Sequence, residues 1–490
     1  MPKTRILLLT NRDSDNVGDQ IIEASVISLI KGVMKNLGMS AENYSINTRA
    51  AGIISKKYMK TGDPALLEDA RRTISASDIL IFGGAPLFNY SYQNFYKRTI
   101  VTLELAEEYG VPVLFSSIGV EPYNPDNAKS RQLKKALELS VVRQITTRDD
   151  IDSVRKYVEG TDTPVAHVAD PAVFSDLVFR PKPAPKSAPA PTPVGGRQKA
   201  IALARQVVPA PVKSIAKRMI RGGEHPAPST TKAPTATAPK KADAGDAQKK
   251  VRRIGLIVTR SGIFADNGIE FSEHDQQKFW LDVIARLEER GDDYKLFTTG
   301  HFSDEVFLDN LIRTSGIPAS KASFTVNSPE ELTHQLKACD GVIAYRLHAS
   351  ITSYAYSIPS IGLSWNFKVP YFYESVGYGQ RAVAPENWNA DHVLQLLDRA
   401  LVEGVHKDIP FQMSVYTTLF DGIKAIVAPE SQKTGYTYEE LRTKLPRYTG
   451  TSQKIYRDKV RRKFRRTFEN YQKLQDSLQD AREQLEERAE

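Results

Sequence analysis

Short, wholly apolar runs alternate with longer stretches of helical spacing along the first third of the chain. Arg5–Thr10 contains an unbroken aliphatic run, the mark of a strand buried on both faces. From Asp19 to Leu37 the aliphatics Ile22, Val26, Ile30, Val33 and Leu37 recur at intervals of three or four, which predicts a helix. Ile79–Phe82 is a second buried strand, closed by Gly83-Gly84. A helical stretch over Thr99–Tyr109 leads into Val111–Ser116, and another over Ser130–Leu139 precedes Gln144–Thr147. The pattern stops near Phe179 and resumes at Arg253. Strands are expected at Ile254–Val258, Lys295–Thr298, Gly341–Tyr345 and Ser360–Leu363, with helices at Asp275–Arg290, Pro329–Lys337 and His348–Tyr356 between them. Such alternation predicts βαβ units and parallel sheets.

The expected fold class is therefore α/β: two Rossmann-like parallel-sheet domains in a GT-B-like arrangement, with a ligand cleft beyond the carboxyl ends of the strands. The expected organisation is an N-terminal domain over 1–179, a linker over 180–251, a C-terminal domain over 252–450 and a basic, then heptad-patterned helix over 451–490. The linker is rich in Pro, Ala and Lys, buries too little apolar surface to offset its ordering entropy, and reads as disordered. Within it, Val212–Arg221 has a basic amphipathic pattern that fits either a transient helix or a membrane-surface foot. From Arg457 to Arg488 the chain reads as one helix, in which Phe464, Tyr471, Leu478 and Leu485 recur every seven residues and Leu474 and Ala481 fill d-type places. That seam self-associates into a homo-oligomer through 464–488, pairs with a partner, or docks on the chain's own body.

Bulk properties narrow the class. A chain of 490 residues with 41% hydrophobic and 26% charged residues has room for two cores and some unfolded sequence. Its single cysteine, Cys339, excludes an internal disulfide, argues against a cysteine-rich metal site and suits a cytoplasmic location; its apolar neighbours make it a buried small residue. The first apolar run is too short for a signal-peptide core, and no stretch is long enough to span a bilayer. The net charge of +9 is concentrated in the linker and in Lys454–Arg466. Without stacking aromatics on a basic strand or helix, that distribution excludes nucleic acid as the expected partner and fits a peripheral contact with an anionic membrane or polyanion.

The strongest chemical constellation is Tyr345-Arg346-Leu347-His348, where a buried strand meets a helix start. Exposed backbone N–H groups and Arg346 suit a phosphate or carboxylate, and His348 can exchange a proton near neutral pH. A capping histidine and an interdomain salt bridge explain the same residues equally well. Lys368, after Trp365 and Asn366, adds positive charge at the cleft or is simply solvated. In the first half, Gly18 of Asn16-Val17-Gly18-Asp19 permits a tight turn and Asp19 caps the helix, unless Asn16 or Asp19 faces a sugar hydroxyl. Gly83-Gly84 allows a ligand near the backbone or merely turns the chain. Arg148 grips an anion or makes a structural salt bridge, whereas Asp170-Pro171 reads as a turn with Phe174 packed behind it. No metal, phosphate-loop, dinucleotide or nucleophile-elbow signature is present.

Taken in order, Asn16-Val17-Gly18-Asp19, Phe82-Gly83-Gly84, Arg148-Asp149, Asp170-Pro171-Ala172, Arg346-Leu347-His348, Ile358-Pro359-Ser360-Ile361 and Lys368 resemble the motif series of the polysaccharide pyruvyl transferase family. One departure is Ser116-Ser117-Ile118-Gly119-Val120-Glu121-Pro122, which carries two residues more before its proline than the family's turn. The resemblance implies phosphoenolpyruvate as donor, a glycan or lipid-linked oligosaccharide as acceptor, a pyruvate ketal as product and no further cofactor. It implies His348 as general acid, Arg346, Arg148 and Lys368 at the donor, and Asp19 at a sugar hydroxyl. Asn16, Gly18, Gly83, Gly84 and Asn366 then belong to the acceptor side or its loops. A GT-B glycosyltransferase using a nucleotide-sugar, or a non-catalytic scaffold of a glycan-assembly complex, shares most of these features.

Overall fold

The computed structural model describes residues 3–91, 95–180, 251–324 and 326–487. The segment read as a linker, with its basic stretch Val212–Arg221, lies outside the described residues except for its two end positions. Two six-stranded, all-parallel sheets form the framework. The first comprises β1 (Thr4–Thr10), β2 (Tyr44–Ala50), β3 (Ile79–Gly83), β4 (Val113–Ile118), β5 (Val142–Thr147) and β6 (Val165–His167) in the order β2-β1-β3-β4-β5-β6. The second comprises β7 (Arg253–Ile257), β8 (Asp293–Phe297), β9 (Ala322–Ser323), β10 (Gly341–Ala344), β11 (Ser360–Leu363) and β12 (Ala382–Val383) in the order β12-β11-β10-β7-β8-β9. This is the expected pair of Rossmann-like sheets in a GT-B-like arrangement. Each order reverses direction once, between β1 and β3 and between β7 and β10, and a parallel sheet opens a crevice at that point.

The central strands coincide with the apolar runs, because strands covered on both faces need apolar side chains throughout. The unexpected strands are those without such a run. Tyr-Ser-Ile-Asn-Thr-Arg-Ala of β2 is a half-exposed edge, Val-Ala-His of β6 is a three-residue edge, and β9 and β12 are two-residue edges.

Six helices matter for the site: α1 (Val17–Asn36), α2 (Phe302–Thr314), α3 (Leu347–Ala355), α4 (Lys368–Ser375), α5 (Ile409–Val427) and α6 (Gln453–Glu487). Helix α1 is buried on nearly every side, Ile21, Leu29 and Met34 filling faces beyond the one that periodicity indicated. It starts against the second half, where Val17 N donates to Thr299 O at 2.7 Å. Helix α5 crosses back to the first sheet. There the Gln144 amide donates to Thr418 O and the Gln412 amide to Val173 O, each at 3.1 Å. One apolar core consequently joins Ile6 and Ile81 of the first sheet, Val342 of the second, and Tyr416 and Phe420 of α5. Cys339 is buried, and burial pushes its thiol up to about 12. No described helix is long and apolar enough to cross a membrane.

Helix α6 divides in two. Its basic front docks on the body: Lys463 pairs with Glu305 of α2 at 2.6 Å, Arg466 pairs with Asp15, and the Tyr456 hydroxyl donates to Glu331 at 3.0 Å. Lys459, at 1% exposure, has no hydrogen-bond partner among the described residues, and burial lowers its ammonium to about 7. The unfolded chain therefore binds this proton more tightly than the folded one. Stability rises as pH climbs from about 7 towards the ordinary lysine value, and the full burial cost is present below pH 7. Lys459→Met should raise the melting temperature by about 2–5 °C at pH 6–7, with the gain shrinking by about pH 9.5. Calorimetry across that range checks it, and a gain independent of pH would show the ammonium to be solvated.

Candidate active site

The loops at the two switch points face each other and enclose a cleft of about 320 Å³, at the lower end of the roughly 300–1,000 Å³ typical of small-molecule sites. Asn11, Asn16 and Asp19 follow β1, and Pro86 and Asn89 follow β3. Opposite them, Arg260 follows β7 and Arg346, Leu347 and His348 follow β10. Glu121, Arg148, His301, Trp365, Asn366 and Lys368 complete the wall. A larger hollow of about 730 Å³ lies beside Pro112, Pro164 and α5, at the amino-terminal ends of β4 and β6. It lacks the histidine and lysine of the cleft and sits at the wrong end of the strands for a switch-point ligand.

His348 sits in the first turn of α3, and its Nε2 is buried without a hydrogen-bond partner among the described residues. Burial lowers its pKa to about 4; Asp19 opposes the shift, while Arg148, Lys368 and Arg346 reinforce it. The resting imidazole is thus neutral, with a ring nitrogen ready to exchange a proton with whatever enters.

Arg346 is fixed by a salt bridge, though not between halves: its Nε and Nη2 donate to Asp304 of α2 at 2.7 and 2.6 Å. Asp304 also accepts from the Arg260 backbone N–H at 3.0 Å, so one fully buried carboxylate orients two cleft loops. Lys368 opens α4, and its backbone N–H donates to the Asn366 side chain at 3.1 Å. Its ammonium makes no hydrogen bond or ion pair among the described residues, and burial lowers its pKa despite Asp149. A cation held this way gains from an arriving anion.

Of the two expectations for Arg148, the structural salt bridge is the one observed. Arg148 lines the cleft, but its Nη1 is bound to Asp170 at 2.5 Å with both side chains buried. Burial works against its charge, and Asp170, Asp149 and Asp19 outweigh that and hold the guanidinium above its ordinary value. Asp170 also caps the Pro171–Phe174 turn by accepting from Ala172 N at 2.8 Å, and Phe174 is fully buried.

Two readings need correction. Asn16, not Asp19, caps α1: its side chain accepts from Gly18 N at 3.0 Å. Asp19 lies inside the first turn instead, faces the cleft and accepts from the Asn11 amide at 3.2 Å. Gly18 makes no tight turn. It is helical, and a Cβ there would overlap Cβ, Cγ and Nδ1 of His348, so its missing side chain makes room for the imidazole. Gly83 ends β3 and Gly84 turns the chain, as the strand-to-loop alternative has it. A Cβ at Gly83 would crowd Val26 and Leu8, one at Gly84 would overlap Ile22, and Gly84 adopts a φ of 62°. Those glycines let α1 pack closely on β3. Gly18→Ala should displace the imidazole and lower kcat by about 10²-fold, with little change in secondary structure. Stopped assays beside far-UV circular dichroism check this, and near-normal turnover would show that His348 tolerates the shift.

Asn11, Asn89, Glu121, Arg260 and His301 escaped the sequence reading, although each lies in the loop after an expected strand. Glu121 belongs to the longer turn after β4. Just before that turn, near the end of β4, Ser117 adopts a φ of 52°, held by its N–H to Thr146 Oγ1 and its hydroxyl to Ala169 O, each at 2.8 Å. The register shifts at this bulge, and Glu121 then accepts from the Tyr90 and Ser91 backbone N–H groups at 2.9 and 3.0 Å. Glu121 is thus the residue of this longer turn that lines the cleft.

Fold and cleft define a GT-B-like α/β protein with two parallel sheets and a cleft lined by cationic side chains at their paired switch points. A family model described as polysaccharide pyruvyl transferase matches residues 16–366, from the Asn16 cap to Asn366. The chain belongs to the polysaccharide pyruvyl transferase family and is a transferase. Comparison with curated proteins gave no match. Among solved structures, a putative UDP-N-acetylglucosamine 2-epimerase from Listeria monocytogenes is similar at 8% identity and a TM-score of 0.48, covering 89% of this chain and 99% of that one. The UDP-GlcNAc 2-epimerase of Methanocaldococcus jannaschii aligns at 11% identity and a TM-score of 0.46, over 85% of this chain and 98% of its own. A glycosyltransferase from Rickettsia africae aligns at 10% identity and 0.41, over 87% and 100%.

Proposed function

We propose that the cleft takes phosphoenolpyruvate and transfers its pyruvyl group to two hydroxyls of one sugar, in a cell-surface polysaccharide or its lipid-linked precursor, as a cyclic ketal. The observation that carries this reading is a buried, unpartnered, neutral imidazole beside a lysine and an oriented arginine, all at the carboxyl ends of strands. A donor with a phosphate and a carboxylate matches Lys368 and Arg346, with Arg148 beyond them. In the reaction, C2 of the donor gains two bonds to sugar oxygens and loses its bond to phosphate. One hydroxyl proton ends on the methylene carbon, and the other leaves with the phosphate. His348, neutral at rest, takes the first proton from a hydroxyl as base and then delivers it to the methylene as acid. Asp19 and Asn11, fixed to each other across the opposite wall, orient the sugar. The cations stabilise charge as it moves to the departing phosphate.

Purified protein with phosphoenolpyruvate and envelope glycan from the producing organism should release phosphate and add a pyruvyl-sized mass to the glycan. Phosphoenolpyruvate should also raise the melting temperature. Stabilisation by UDP or GDP, with none by phosphoenolpyruvate, would move the assignment to a glycosyltransferase using a nucleotide-sugar.

A further inference from the structure

The rear of α6 presents an apolar stripe to solvent. Val460, Phe464, Tyr471, Leu474, Leu478 and Leu485 are 39–69% exposed and lie along one side of the helix for about 38 Å. Lys459, Lys463 and Arg466, which dock on the body, lie about a quarter turn away, so the described residues leave the stripe uncovered. A patch of this length marks an interaction surface.

Its occupant can be read from repeat and charge. From Phe464 to Leu485 the a and d places hold Phe, Thr, Tyr, Leu, Leu, Ala and Leu with no charge among them, the pattern of a helix that pairs with another heptad helix. Every copy of the chain supplies such a helix. Lys454–Arg466 carries eight basic residues and one acid, whereas Thr467–Leu485 carries four acids and two bases. The acidic rear opposes an anionic bilayer, which would have to accept the whole stripe. Parallel pairing sets the basic fronts side by side and crowds Phe464 on Phe464 and Tyr471 on Tyr471. Antiparallel pairing sets each basic front beside the acidic rear of the other copy and places the two bodies at opposite ends of the pair.

We propose that a second copy of this chain docks on the stripe, forming an antiparallel two-helix coiled coil through α6. Light scattering coupled to size exclusion should give about 109 kDa, twice the 54.7 kDa of one chain. Leu474→Asp with Leu478→Asp should bring the mass to one chain while the melting temperature of the body stays unchanged, which separates lost pairing from lost folding. For orientation, Arg461→Cys and Gln484→Cys chains, each with Cys339→Ser, are mixed with a short flexible bismaleimide. Cross-links between the two variants support the antiparallel pair, and Arg461→Cys chains linked to one another overturn it in favour of a parallel one. One-chain mass for the unaltered protein up to about 50 µM overturns the proposal. Flotation with phosphatidylserine vesicles, abolished by the two aspartates, would then assign the stripe to a membrane.

Discussion

Replacing His348 with alanine should lower kcat by about 10²–10⁴-fold, the usual range for loss of a positioned proton-transfer group, while the protein stays folded. The side chain touches solvent little, has no hydrogen-bond partner at Nε2 among the described residues and carries no charge at neutral pH, so the fold gives up little beyond its packing. Donor affinity should change little, because Arg346 and Lys368 hold the anion, and the loss therefore falls on kcat rather than KM. The pH profile gives a second reading. A base with its pKa lowered to about 4 is deprotonated through the neutral range, so kcat/KM should stay level from about pH 8 down to pH 5 and fall as the imidazole protonates near pH 4. A bound dianion beside the ring favours the imidazolium, so the acid limb of kcat should lie at higher pH than that of kcat/KM. An alanine variant with turnover within about threefold of the parent, or an acid limb of kcat/KM that survives the substitution unchanged, removes His348 from the chemistry.

Asp170→Ala should destabilise the protein by about 3–5 kcal/mol, the range for removing one partner of a buried ion pair. The Arg148 and Asp170 side chains are 6% and 2% exposed, so the remaining guanidinium has little access to water. Asp149, also near Arg148, is already engaged with Val120 N at 3.0 Å and does not replace Asp170 fully. The variant further loses the cap on the Pro171–Phe174 turn. Asp170→Asn separates the two contributions, since an amide oxygen can still accept from Ala172 N. A double variant, Arg148→Met with Asp170→Asn, should recover most of the stability, because well-packed neutral side chains replace a buried pair at little cost. The same double variant should bind phosphoenolpyruvate less tightly if Arg148 reaches the donor, so urea unfolding and donor titration distinguish its structural from its binding contribution. A loss below about 1 kcal/mol for Asp170→Ala would show that the pair is effectively hydrated.

The motifs that carried the family resemblance proved legible for different reasons. Asn16 and Asp19, Arg346 and His348, and Asn366 and Lys368 follow the carboxyl ends of β1, β10 and β11, and a strand end is visible in sequence as the last residue of an apolar run. Glu121 and Arg260 occupy equivalent positions yet went unseen, because a single charged residue in a loop carries no periodicity. Gly18 was visible as a glycine and opaque as to purpose. What it accommodates belongs to a residue 330 positions further along the chain.

The order of apolar and polar residues alone determined the alternation of strands and helices, the two parallel sheets and the heptad seam, since period and burial are local properties of a chain. Tertiary structure decided which charges meet. Asp304 orients Arg346 within the second half, Asp170 holds Arg148, and the front of α6 reaches Asp15 and Glu305. It also set the protonation state of His348, because desolvation and the field of three cations depend on the distances at which folding leaves them, and no spacing along the sequence fixes those distances.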